Sequence, residues 1–234
     1  MVSSINERIS DSWDNNAARW TEAVRGGSIR SRTAGTDAAI VAAVARLNPA
    51  SVLDLGCGEG WLARRLAGEL GCRVVGVDGS AELIRLAHEA DPTGCYIQAG
   101  YDAIAAEPGE LGGPFDIVVA NFALLSEDLS APLRASRASA TLIIQTVHPW
   151  SACSDLPYAD GWREERFAAF GTGTWTPMPW YFRTLESWIS ELACSGWQVD
   201  QLKEPADPET GRPLSLLLIC RPHRTAAASL MPRP

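Results

Sequence analysis

The sequence predicts an α/β fold with a doubly wound, mostly parallel sheet of seven strands and helices on both faces. Between residues 52 and 147, short apolar runs alternate with amphipathic helical patterns. This alternation is typical of parallel strands joined by right-handed helical crossovers. Two later apolar runs, 197–203 and 214–220, flank a turn region rich in Pro, Asp and Gly. They predict a hairpin that ends the sheet with an antiparallel edge strand.

The parallel strands are predicted at 52–55, 73–77, 96–99, 115–120 and 142–147. The helices between them are marked by leucine and alanine at helical spacing, by capping residues and by terminating glycines. Before the first strand, Ser4 and Glu7 predict a capping box. The helix that follows carries Trp13 and Trp20 on its apolar stripe and ends at Gly26. We expect both tryptophans to pack within this N-terminal segment rather than to contact a substrate.

Composition excludes several function classes. The net charge is −8 and the pI is about 4.9, so no general basic surface is available for nucleic acid. The six cysteines lack metal-ligand spacing, which predicts no metal site and fits reduced thiols in a cytoplasmic protein. No apolar run approaches the ~18 residues of a membrane span. Monomer and homodimer both remain open.

A glycine-rich turn follows the first predicted strand. Gly56, Gly58 and Gly60 occupy every second position, and a second strand ends in Asp78, 22 residues after Gly56. Glycines let a ligand approach the backbone, the first helical N–H groups point at that ligand, and an acidic residue at this distance suits ribose hydroxyls. Position 61, where a dinucleotide fold would have its third glycine, is a tryptophan. The pattern therefore predicts a nucleoside-binding unit other than the usual dinucleotide type.

Residues 53–60 (LDLGCGEG) and 76–80 (GVDGS) resemble the first two motifs of the class I methyltransferases that use S-adenosylmethionine (SAM), and a looser resemblance covers about residues 36–203. The resemblance implies a Rossmann-like fold, SAM as cofactor and in-line methyl transfer to a small-molecule acceptor. Asp54 would repel a pyrophosphate but suits the positive charges of SAM. The cofactor residues implied by the two motifs are Asp54, Gly56, Cys57, Gly58, Asp78, Gly79 and Ser80.

Further cofactor contacts are implied by the resemblance at the flap and at the next two strand ends. Arg32, or else Arg30, would bind the carboxylate of the methionine moiety. After the third strand, either Tyr101 or the Asp102 side chain would contact the adenine. Asn121 and Phe122 follow the fourth strand and would lie beneath the reactive centre. The Asn/Asp-Pro-Pro-aromatic signature of many base and amide N-methyltransferases is missing at 121–124.

The chain after the fifth strand supplies the predicted acceptor side. His148 is the only histidine at the carboxyl end of a predicted strand, so it is either a general base or a ring bonded to local backbone. An aromatic-rich insertion follows, and we expect it to form a lid with Trp150, Trp180 and Tyr181 against the substrate. A small satellite core and a dimer contact are the alternatives for this insertion.

These assignments divide the chain into five parts: an N-terminal helical flap (1–48), a SAM-binding core (49–149), an aromatic-rich lid insertion (150–183), a C-terminal helix and hairpin that complete the sheet (184–221), and a tail (222–234). Two alternatives to a methyltransferase stay open. One is a non-catalytic SAM-binding protein. The other is a nicotinamide-dependent oxidoreductase, although no tyrosine is followed four residues later by lysine as the short-chain type requires.

Overall fold

A computed structural model describes residues 4–153, 156–170 and 173–223. A seven-stranded sheet forms its centre. Its strands are β1 (Ser51–Leu55), β2 (Arg73–Asp78), β3 (Cys95–Gln98), β4 (Phe115–Asn121), β5 (Ser139–Val147), β8 (Trp197–Lys203) and β9 (Ser215–Pro222). A separate two-stranded ribbon is formed by β6 (Gly161–Glu165) and β7 (Met178–Phe182).

The helices form the N-terminal flap and cover the two faces of the sheet. They are α1 (Ile5–Arg25), α2 (Asp37–Ala45), α3 (Trp61–Leu70), α4 (Ala81–Ala90), α5 (Tyr101–Ala106), α6 (Ser130–Ala135) and α7 (Leu185–Cys194). A wide helical turn (Arg32–Thr36) precedes α2, and short 3-10 turns lie at Pro108–Leu111 and Ser136–Ala138. The predicted capping box is present at the start of α1, where Ser4 and Glu7 exchange side-chain and backbone hydrogen bonds.

The strand order is β3-β2-β1-β4-β5-β9-β8. All pairs from β3 to β5 are parallel, and β9 runs antiparallel to both of its neighbours. The predicted doubly wound, mostly parallel fold is confirmed. The antiparallel strand is the last one, and it lies one position in from the edge because β8 is outermost. The strand order reverses between β1 and β4, which places a crevice at their carboxyl ends.

Side chains point alternately to the two faces along each strand, and they form one apolar layer on each face of the sheet. On β1, Val52 packs with α2 and α3, while Leu53 and Leu55 face the layer that contains α6 and α7. Successive side chains of a strand point to opposite faces, so a strand buried on both sides reads as one continuous apolar run. This is why the parallel strands were recognisable in the sequence, and it fixes the strand ends that carry the site.

The insertion packs on the N-terminal helix. Its β6–β7 ribbon is followed by α7. The loop that connects β6 to β7 places Phe167 at 6.3 Å from Trp13 and Phe170 at 5.6 Å from Trp20, between ring centroids. Phe167 also stacks on Trp175 at 4.9 Å. The insertion thus forms a small apolar cluster with α1 while covering the carboxyl ends of the strands. In the predicted tail, β9 continues through Pro222, and residues 224–234 lie outside the described residues.

Candidate cofactor and acceptor site

A cavity of about 880 Å³ lies at the carboxyl ends of the parallel strands. Helix α1, the glycine loop, the loops after β2, β3, β4 and β5, and the insertion all contribute to its walls. The predicted site residues that line it are Arg32, Gly56, Cys57, Gly58, Asp78, Gly79, Ser80, Tyr101, Asp102, Asn121, Phe122, Trp180 and Tyr181. The volume falls within the range of small-molecule sites in proteins.

The glycine loop is fixed by backbone geometry. Gly56 and Gly58 have φ of +78° and +57°, values that residues with a Cβ rarely adopt. A Cβ on Gly56 would lie 2.4 Å from that of Ala123, so the loops after β1 and β4 meet only because Gly56 lacks one. The backbone N–H groups of Gly56 and Cys57 both donate to the Val77 carbonyl, at 2.8 and 3.0 Å. The loop is therefore held against the end of β2.

Asp78 connects the end of β2 to this loop. Its Oδ2 accepts from the Gly58 N–H at 2.8 Å, and its Oδ1 accepts from the Ser80 N–H at 2.9 Å. Burial raises the pKa of this carboxyl, and the backbone hydrogen bonds from Ser80 and Gly58 act in the opposite direction. Each carboxylate oxygen can accept more than one hydrogen bond, so the half-buried Asp78 retains acceptor capacity at the cavity wall.

Asp54 does not line the cavity, in contrast to the prediction that it contacts the cofactor. It lies behind the glycine loop, 1% exposed, and its Oδ2 has no hydrogen-bond partner in the described part of the chain. Burial, followed by the charge of Asp78, raises its pKa to about 7. Asp54 is the penultimate residue of β1, and strand alternation turns its side chain under the loop, away from the cavity.

Of the two candidate arginines, the structure places Arg32 at the cavity. Its Nε and Nη2 donate to Asp37 at 3.2 and 3.1 Å, and its guanidinium lies 4.2 Å from the ring centroid of Trp61. Burial lowers the pKa of Arg32. Arg30 is instead exposed and pairs with Asp207 and Glu209 in the loop between β8 and β9.

The loops after β3 and β4 meet across the cavity. Tyr101 lies at the start of α5, and its hydroxyl donates to the Ala123 carbonyl at 3.0 Å. Asp102 is exposed on the same wall. Phe122 has φ of +54°, a strained value for a bulky residue, and its N–H donates to the Gln145 carbonyl at 2.7 Å. Strain of this kind clusters at binding sites, where the surrounding structure holds it in place.

The insertion forms the other end of the cavity. Trp162 and Tyr181 meet edge to face at 5.3 Å between centroids, and the Tyr181 N–H donates to the Leu125 carbonyl at 2.8 Å. That bond fixes β7 to the loop after β4. Trp180 and the buried Arg183 line the same end. The cavity therefore has a polar end at the glycine loop and an aromatic end under the insertion.

Two predicted acceptor-side residues are not at the cavity. His148 is absent from its lining, is 7% exposed, and holds its Nε2 2.8 Å from Glu204 Oε1. The side chains of Thr146 and Val147 line this strand end in its place. Trp150 is 69% exposed and also lies outside the lining. The geometry thus does not support His148 as general base or Trp150 as a substrate contact.

Sequence reasoning missed several residues that the structure brings to the site. In the sequence, Trp61 stands out only as a replacement for a third glycine and Trp20 as flap packing, and Asp37 carries no site signal. Trp20 does pack on the insertion, and it also lines the cavity, where a Cβ on Gly58 would lie 3.9 Å from its Nε1. Arg183 gave no local signal, because its burial depends on contacts between distant segments.

Part of the chain matches a known protein family. Residues 52–140 match the family described as "Methyltransferase domain". The matched segment contains the glycine loop and Asp78, so this part of the chain is similar to a methyltransferase domain. The oxidoreductase alternative is set aside on this ground.

One curated relative matches a short part of the chain. The chain is 40% identical over 74 residues to trans-aconitate 2-methyltransferase of Paracidovorax citrulli (strain AAC00-1). The match covers 31% of this chain and 27% of that protein, so it spans about a quarter of the relative's length.

Two solved structures share the fold along nearly the whole chain. Magnesium protoporphyrin IX methyltransferase from Synechocystis PCC 6803 with bound SAH is 19% identical, with a TM-score of 0.64, over 94% of this chain and 100% of that one. The second is 1,6-didemethyltoxoflavin-N1-methyltransferase of Burkholderia thailandensis, with bound 1,6-didemethyltoxoflavin and S-adenosylhomocysteine. It is 18% identical, with a TM-score of 0.63, over 96% of this chain and 92% of that one.

Within the described residues, no group of three or more candidate metal ligands occurs. None of the helices described combines the length and the apolar character needed to cross a bilayer.

Proposed function

We propose that this chain is a SAM-dependent methyltransferase that acts on a small molecule. The observation that carries the proposal is the position of Asp78. Its carboxylate lies at the end of β2, bonded to the Gly58 N–H, at the polar end of a cavity whose other end is aromatic. A carboxylate with spare acceptor capacity beside a glycine backbone suits the ribose of SAM and the methionine moiety attached to that ribose.

The residues present fit the cofactor. A Cβ on Gly58 would meet only Trp20 Nε1 within 4 Å, so the backbone there is open to a ligand. Asp78 would accept from the ribose hydroxyls, Tyr101 and Asp102 would flank the adenine, and Arg32 would bind the methionine carboxylate. When bound, SAM supplies a methyl group that its sulfonium has already activated for in-line transfer.

The remaining task of the chain is positioning and exclusion of water. The aromatic end of the cavity holds the acceptor, and Asn121 and Phe122, which line the cavity after β4, would lie beneath the reactive centre. Asn121 is itself fixed, because its Oδ1 accepts from Gln145 Nε2 at 3.1 Å. Helix α1 and the insertion both line the cavity, and a recess walled on several sides favours a small acceptor over a polymer. The trans-aconitate relative and the toxoflavin neighbour act on small molecules by name, which supports the same acceptor class.

Calorimetric titration with SAM tests the proposal. Wild-type protein should bind SAM, and Asp78→Ala should weaken binding by about 1.5–3 kcal/mol or more, the scale of hydrogen bonds to a charged group. Asp200→Ala is the matched control, because Asp200 lies on β8, outside the cavity lining, and pairs with Arg221. Production of S-adenosylhomocysteine should then be measured with trans-aconitate as the first acceptor tried. A wild-type protein that ignores SAM, or equal affinity in the Asp78 variant, contradicts the proposal.

A further inference from the structure

Arg183 is a buried cation at the aromatic end of the cavity. It directly follows β7 and precedes Thr184, whose side chain caps α7. The residue is 3% exposed and lines the cavity together with Tyr181 and Trp188. An arginine this deeply buried normally has a carboxylate partner, since an unpaired buried charge costs several kcal/mol.

The contacts of Arg183 leave it without a carboxylate hydrogen-bond partner among the described residues. Its Nη2 donates to the Glu127 carbonyl, and its Nη1 has no hydrogen-bond partner in the described part of the chain. The guanidinium lies over the rings of Tyr181 and Trp188, at 4.9 and 5.4 Å from their centroids. No carboxylate of the described residues lies within ion-pair distance of it. Asp160, Glu127 and Glu191 act on it only from further away.

Two other partly buried arginines have carboxylate partners. Arg32 has Asp37 at 3.1 Å, and Arg64 has the fully buried Glu59 at 2.8 Å. Arg163 lines the aromatic end too, but it donates to the carbonyls of Ala152 and Pro157 and so holds a turn of the insertion. Arg183 differs from all three, because it lines the cavity while its buried Nη1 has no hydrogen-bond partner among the described residues.

We propose that Arg183 binds a carboxylate of the methyl acceptor, whose flat apolar body lies between Trp162, Trp180 and Tyr181. This inference rests on the proposed function, because it assigns the acceptor class of the same cavity. A carboxylate supplies the missing hydrogen-bond acceptor and the missing charge together. The planar guanidinium between two rings is already oriented, so little side-chain freedom is lost on binding. The aromatic walls complement a ring that carries the acid group.

The test compares acids with their uncharged analogues. Wild-type protein saturated with S-adenosylhomocysteine is titrated with benzoate, 2-naphthoate and indole-3-carboxylate, and with the primary amide of each. The amides keep the shape and lose the charge. We expect at least one acid to bind, and to bind at least tenfold more tightly than its amide. Arg183→Met should remove that preference, while Arg166→Met should retain it. Arg166 is a matched control because it lies in the insertion, 78% exposed, outside the cavity lining.

The outcomes separate this inference from the proposed function. The affinity for SAM tests the proposed function and also shows whether each variant is folded. The affinity of Arg183→Met for SAM should stay within about twofold of the wild-type value. If Arg183→Met does not fold, Arg183→Lys replaces it and should weaken the acid by a smaller factor, because lysine keeps the charge without the planar fork. A wild-type protein that binds SAM but none of the acids, or that binds amides equally well, overturns the assignment of Arg183. An Arg183→Met protein that still prefers acids does so too.

Discussion

At the scale of single residues, Asp54 shows how burial behind the glycine loop changes the pKa of a carboxyl group. It is 1% exposed behind the loop, and burial raises its pKa to about 7. In the unfolded chain an aspartate has a pKa of about 3.9. Between those values the folded chain holds a proton that the unfolded chain has released. The resulting stability is fully present below pH ~4 and is lost as the pH rises through about 7.

Asp54→Asn should remove this pH dependence, because asparagine keeps the shape and does not ionise. Between pH 5 and pH 8, the free energy of unfolding of the wild type should fall by about 2–3 kcal/mol relative to the variant. Urea unfolding of both proteins at the two pH values measures the difference. Parallel pH profiles for the two proteins would mean that Asp54 is already ionised when buried.

The same scale explains why His148, predicted at the acceptor side, lies outside the cavity lining. Its position, one residue past β5, was predicted from the apolar run, and the run is there. Which side of the sheet the imidazole takes depends on alternation along the strand and on Glu204, which comes from the segment after β8. A single sequence gives the strand end but not the partner 56 residues away. Local pattern therefore located the strand end without showing which side chains there face the ligand.

At the scale of elements, a buried amide bonds helix α1 to the insertion, beside the aromatic contacts already described. Asn16 is 1% exposed; its Nδ2 donates to the Thr176 carbonyl at 2.8 Å, and its Oδ1 accepts from the Thr176 N–H at 2.9 Å. Ser12 donates to the same carbonyl at 3.0 Å. The helical stripe through Trp13 and Trp20 showed which face of α1 is apolar. It did not show what that face contacts, because period 3.6 holds no information about a partner 160 residues away.

Asn16→Ala should loosen the insertion from α1. Both hydrogen bonds to Thr176 are lost, at a cost of about 1–3 kcal/mol in all. Hydrogen exchange of the backbone amides around Thr176 should accelerate, while the amides of β1 and β4 stay protected by the core. Ser12→Ala is the control: Asn16 still bonds the same carbonyl, so its effect on exchange should be smaller. Equal exchange in Asn16→Ala and wild type would show that the aromatic contacts alone hold the insertion.

At the scale of the whole molecule, the sheet and the glycine loop were predictable and the composition of the cavity was only partly so. Buried parallel strands and a loop that requires positive φ leave a local trace, and so Gly56, Gly58 and Asp78 were identified from the sequence. Other parts of the cavity wall have no such trace, because Trp20, Trp61 and Arg183 converge from three separate segments. Features that are determined by residues close together in the sequence were therefore predictable. Features that are determined by packing between distant segments were not.

This convergence predicts how binding affects stability. The cavity walls come from α1, the strand-end loops and the insertion, so a cofactor bound among them is bound only by the folded chain. SAM at 100 times its Kd should then raise the free energy of unfolding by about 2.7 kcal/mol. For a chain of this size that corresponds to a rise in Tm of about 5–10 °C. Thermal unfolding with and without SAM measures it, with Asp78→Ala at the same SAM concentration as reference. A shift that survives unchanged in that variant would place the bound SAM away from the β2 strand end.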